Sequence, residues 1–205
     1  MIECLNAALK DWIDDYNKYI IVTTDGEYCF YLLDDSIDIT YKNIKNLYNI
    51  EFSYKLVNVQ LPKYLLRDYL TNVVLYHELG HFVDNIYKLT GTIFPEILKQ
   101  PKSDLINTYF PYIDPTKDIH LYEKYIENHL CEYFADLFAS QYVGSHCCNF
   151  LDYLAHDRPK NLFSGTHPSL FYRKKIVNEF LNGVSNPVLD IIKKTVHTVT
   201  GKELN

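Results

Sequence analysis

No stretch of this chain approaches the roughly 18 consecutive apolar residues that a bilayer-spanning helix needs. The N-terminus also lacks a basic segment leading into a short apolar run, so no secretory signal is expected. Cys-x-x-Cys pairs are missing, and the five cysteines (Cys4, Cys29, Cys131, Cys147, Cys148) are odd in number. Reduced thiols in the cytoplasm are the simplest reading. Adjacent Cys147 and Cys148 chelate poorly and read as structural thiols. A dense basic surface is lacking too. The net charge is −6 with a pI near 5.7, and the only tight basic cluster is Arg173-Lys174-Lys175. Such a chain is repelled by phosphates and anionic lipid, which argues against nucleic acid as a partner. Repeats, low-complexity tracts and linkers are absent, so residues 1–205 read as a single domain.

What is present suits a full-sized core, with 47% of residues hydrophobic. Residues 1–19 read as an amphipathic helix. Two β-rich runs, within 20–33, flank Asp25-Gly26, whose positive-φ chemistry predicts a tight hairpin. Ile37–Thr40 and Tyr54–Leu61 alternate as further strands, and Pro62 stops the second. The expectation is a small antiparallel sheet in the N-terminal third. Helical spacing then runs from Lys63 to about Lys88, with Gly91 as its terminator. Residues 92–117 hold four prolines and read as a long, loose connection, a candidate cleft wall. Asp118–Val143 predicts a second long helix ended by Gly144. Shorter helices follow near 147–156, 168–182 and 187–199. Sheet first and helices afterwards is an α+β order.

The segment LYHELGHFVD (75–84) carries the chemistry. On a helix, His77 and His81 lie ~40° apart around the axis and one turn along it, so both imidazoles reach a common point. Glu78 is rotated by ~100°, badly placed to ligate a metal but well placed to reach a water on one. That is how a His-Glu-x-x-His segment provides two zinc ligands and a general base. The pair alone is also compatible with ordinary solvated or core histidines, so a third ligand matters.

Glu132 is the candidate, with Asp136 four residues later on the same helical face. A carboxylate at 136 would hold the imidazole N–H of a ligating histidine and fix its tautomer. Ala135 is small enough to let two helices approach. A solvated acidic face is the alternative, since Glu123 and Glu127 precede it. Asp84, three residues after His81, is a rival third ligand or a helix cap; Glu132 is favoured because Asp136 supports it. His129 stands one turn before Glu132. Downstream, His167 precedes Pro168 at a helix start, from which it could donate to an oxyanion.

Together, His77-Glu78-x-x-His81, Glu132-x-x-Ala135-Asp136 and His167-Pro168 followed by Arg173 resemble the gluzincin metallopeptidases. The resemblance covers about 100 residues. It is closest to soluble relatives of the CAAX prenyl endopeptidase and HtpX-like proteases, with the ImmA/IrrE-type peptidases second. It implies a zincin-like fold with two long active-site helices. It implies His77, His81 and Glu132 as zinc ligands, Glu78 as catalytic base, Asp136 behind the ligands and His167 on the oxyanion. Arg173 is implied to organise the cleft. The expected reaction is zinc-dependent hydrolysis of a peptide or protein substrate. A metal-stabilised regulatory or binding module with little turnover is the alternative.

Overall fold

A computed structural model describes residues 2–25, 29–33, 35–51, 54–61, 69–154 and 164–205. Helix α1 (Ile2–Trp12) precedes strands β1 (Tyr19–Asp25) and β2 (Cys29–Leu33). Helix α2 (Asp35–Tyr48) then leads to β3 (Lys55–Leu61). The rest of the described chain is helical: α3 (Tyr69–Tyr87), α4 (Leu89–Leu98), α5 (Lys102–Thr108) and α6 (Glu123–Val143), then α7 (His146–Leu154), α8 (Leu170–Leu181) and α9 (Pro187–Thr200). The α+β order is therefore observed.

The sheet is mixed, not antiparallel. Its order is β1-β3-β2, with β1 parallel to β3 and β2 antiparallel to it. Asp25-Gly26 does not join paired neighbours, because β3 inserts between the two runs; Gly26 itself lies outside the described residues. Burial explains the insertion. Val57, Asn58 and Val59 are all buried, so β3 is covered on both faces and takes the centre. Ile37–Thr40 is not a strand but lies within α2. Four alternating residues are outweighed there by Ile37, Tyr41, Ile44 and Tyr48, which recur at helical spacing.

The supposed loose connection is also corrected. Residues 92–98 continue α4 with Pro95 inside it, and Pro101 sits at the N-cap of α5, where its fixed φ is tolerated. Helix α3 ends earlier than Gly91, at Tyr87, because Lys88 turns left-handed with φ 55°. Gly91 instead lies inside α4. Pro62 and the start of the expected helix at Lys63 lie outside the described residues.

Two helices form the centre. Residues 132–140 of α6 are buried without interruption, so this helix has no solvated side over that span. Leu75, Leu79, Phe82 and Val83 of α3 pack into the same core. Helix α1 closes one side through Trp12, whose ring centroid is 5.3 Å from that of Phe138. Strand β2 lies against α3, while α4 packs on α6 and α9.

Close approach of α3 and α6 depends on Gly80. A Cβ there would meet Ala135 Cα at 2.9 Å and Phe138 Cβ at 3.1 Å. Gly80→Ala is therefore expected to cost about 1–3 kcal/mol through overpacking. Gly91 has nothing within 4 Å of such a Cβ. Gly91→Ala should instead stabilise by up to about 1 kcal/mol through helix propensity. Denaturant midpoints of the two variants measure the contrast, and a gain in both would contradict this packing.

Candidate metal centre

Helix α3 presents His77 and His81 with their Nε2 atoms 3.1 Å apart. Helix α6 brings Glu132 to the same point: Oε1 is 3.4 Å from His81 Nε2, and Oε2 is 3.6 Å from His77 Nε2. Among the described residues these three form a group with metal-ligand spacing. Atoms held tetrahedrally at ~2.0–2.1 Å from one ion stand about 3.3 Å from each other. The observed separations bracket that figure.

The donor chemistry fits a cation as well. His77 Nδ1 lies 3.0 Å from Asp136 Oδ1, so Nδ1 carries the proton it donates. Neutral His77 then turns a lone pair at Nε2 towards His81. Glu132 Oε2 is buried and accepts no hydrogen bond among the described residues. Burial would raise the Glu132 carboxyl, but the adjacent His77 and His81 imidazoles prevail and hold it well below the usual carboxylate range. Burial would likewise lower His77. Its bonds to Asp136 and Glu132 prevail over it and over Arg173, pushing it up to about 9.

Behind the ligands sits a buried ion pair. Arg173 of α8 grips Asp136 with both arms of its fork, Nε to Oδ2 at 2.6 Å and Nη2 to Oδ1 at 2.7 Å. Its Nη1 is also 3.4 Å from Glu132 Oε2. Burial opposes charge on Asp136, but Arg173 lowers its carboxyl, and Asp136 in turn keeps the guanidinium charged. Glu132 and Asp136 are 8% and 1% exposed, so they do not belong to a solvated acidic face. Arg173 is itself buried, on the side of Asp136 and Glu132 where the two carboxylates meet its fork.

Glu78 is half-buried and makes no hydrogen bond or ion pair with any described residue. His167 stands on the open side, its side chain 58% exposed and its Nε2 3.5 Å from Glu132 Oε1. Thr166 Oγ1 meets its Nδ1 at 2.8 Å. Asp84 does not join the group. Its carboxylate accepts from Thr90 N at 2.7 Å and Thr90 Oγ1 at 2.6 Å, capping the start of α4 from the end of α3.

Two contributors had no sequence signal beyond position. His129, three residues before Glu132, donates through Nε2 to Ser164 O at 2.8 Å, and Asn128 Nδ2 donates to Gly165 O at 2.7 Å. Ser164 Oγ then accepts from His167 N at 2.9 Å. The first turns of α6 thereby tie down the segment that presents His167. His129 thus spends its Nε2 on the backbone of that segment and is not in the His77, His81 and Glu132 group. Cys147 packs behind Asp136, and burial pushes the thiols of Cys147 and Cys148 up, as structural cysteines require. No helix among the described residues is long and apolar enough to cross a membrane. Comparison with protein-family models, curated proteins and solved structures returned no match.

Proposed function

We propose that the chain is a zinc metallopeptidase of the gluzincin kind. His77, His81 and Glu132 would hold the ion, and Glu78 would act as general base. The observation that carries this reading is the convergence of two Nε2 atoms on a buried carboxylate backed by Asp136 and Arg173. Imidazole and carboxylate together suit zinc among the divalent ions. When bound, zinc lowers the pKa of a water towards ~7 and polarises a carbonyl.

The chain's own residues supply the rest. Glu78, uncommitted to any described neighbour, takes the proton from the attacking water and returns it to the leaving nitrogen. His167, held at Nδ1 by Thr166, donates from Nε2 to the developing oxyanion. Asp136 keeps His77 in the tautomer that ligates. Strand β2 pairs only with β3 among the described strands and lies against α3. An extended peptide would add to that edge, gaining backbone hydrogen bonds without demanding one sequence. Free thiols at Cys4, Cys131, Cys147 and Cys148 suit a reducing, cytoplasmic compartment.

A regulatory module with a purely structural metal would use the same ligands. It has no use for an uncommitted glutamate beside them, which favours the enzyme. The test is cleavage of a mixed peptide pool with zinc and with chelator. Zinc-dependent products support the proposal, whereas an intact pool with the metal-loaded protein contradicts it.

A further inference from the structure

A cavity of about 410 Å³ lies between α6, the segment at 109–112 and the start of α8. Its walls include Tyr112, His129 and Tyr133 on one side and Pro168, Ser169 and Phe171 on the other. His129 and Tyr133 flank Glu132 on α6, and Pro168 and Ser169 directly follow His167. Lining residues thus lie within one helical turn of Glu132 on α6 and directly after His167.

Its chemistry is selective. None of its lining residues is Asp, Glu, Lys or Arg. The Lys175 ammonium lies over the Tyr109 and Tyr172 rings, and the Glu179 carboxylate on the Tyr109 hydroxyl. A charged side chain would thus lose hydration there with no charged lining residue to meet it. Aromatic rings dominate. Tyr112 and His129 meet edge to face with centroids 5.0 Å apart, a geometry that a further ring can extend. The volume lies towards the small end of the range for small-molecule pockets, suited to one large side chain.

Ser169 adds a polar contact. It occupies the N-cap of α8 in extended backbone, yet its side chain makes no capping bond. The residue is 2% exposed, and its Oγ is buried with no hydrogen-bond partner among the described residues. A buried hydroxyl left unmade in this way is uncommon in a folded protein and calls for a partner. From the cavity and this hydroxyl we infer that the site receives an aromatic side chain of the peptide, tyrosine before phenylalanine, with Ser169 pairing the phenol. This specificity rests on the peptidase reading, since it assigns the occupant to a substrate held at the metal centre.

Binding can be read apart from turnover on the full-length, metal-loaded Glu78→Gln protein. The probes are blocked pentapeptides of four glycines with a central tyrosine, phenylalanine or alanine, titrated calorimetrically. The tyrosine peptide should bind at least about tenfold tighter than the alanine peptide. Phe171→Ala should close that gap, and Ser169→Ala should bring tyrosine down to the level of phenylalanine. The Ser169 hydroxyl lacks a partner among the described residues, and half-exposed Phe171 makes an edge-to-face contact with Tyr172. Urea midpoints of both variants are measured alongside to show that they stay folded. Equal binding of the tyrosine and alanine peptides would overturn the inference. So would a preference that survives both substitutions. Failure of the wild type to cleave, with the binding preference intact, would instead remove the peptidase reading alone.

Discussion

Arg173→Ala is expected to lower the stability of the metal-free protein by about 3–5 kcal/mol. The guanidinium is the only Lys or Arg group paired with Asp136 or Glu132 among the described residues. Removing it leaves two buried carboxylates with only imidazoles beside them, His77 at Asp136 and His77, His81 and His167 at Glu132, in an interior that returns little hydration to them. A typical domain has only about 5–15 kcal/mol to lose, so the metal-free variant should stand at the margin of folding. Zinc should restore part of the loss, because a divalent ion neutralises Glu132 directly. Arg173→Lys should recover less than the conserved charge suggests, since one ammonium cannot span both Asp136 oxygens as the fork does. Urea midpoints with and without chelator measure all of this. A loss within about 0.5 kcal/mol, the size of an ordinary surface change, would contradict the role given to Arg173.

Glu78→Gln is expected to bind zinc as the wild type does and to lose cleavage by about 10²–10⁴-fold. Glutamine keeps the shape and cannot take the proton of an attacking water. Helical geometry turns position 78 away from the point where the Nε2 atoms of His77 and His81 converge, so no ligand is lost. Retained metal with lost turnover separates a base from a ligand. Zinc loss in this variant, or cleavage at the wild-type rate, would contradict the assignment.

Which parts of this were legible in the chain follows from how local each signal is. His77 and His81 are read by spacing on one helix, and Glu132 with Asp136 by spacing on another. Their meeting depends on Gly80 against Ala135, and only one half of that contact, Ala135, was recognisable in advance. Asp84 shows the limit of spacing: it has the right offset from His81, but Thr90, six residues on, claims both its oxygens. The sheet departs from the antiparallel expectation for a related reason. Asp25-Gly26 speaks only for a local turn, while strand partners are chosen by burial, and β3 is the strand buried on both faces. Prolines at 95 and 101 looked like breakers, yet one is carried inside α4 and the other caps α5. The tie from His129 to Ser164 spans 35 residues and has no sequence pattern at all.

The most direct test of the central claim is metal content by plasma mass spectrometry on the wild type, Glu132→Ala and Asp84→Ala, purified side by side. Zinc at one ion per chain should be present in the wild type, lost in Glu132→Ala and kept in Asp84→Ala. The last variant should only be less stable, by about 0.5–2 kcal/mol for a lost cap. A wild type without zinc after refolding with the metal, or a Glu132→Ala protein that keeps it, would contradict the account.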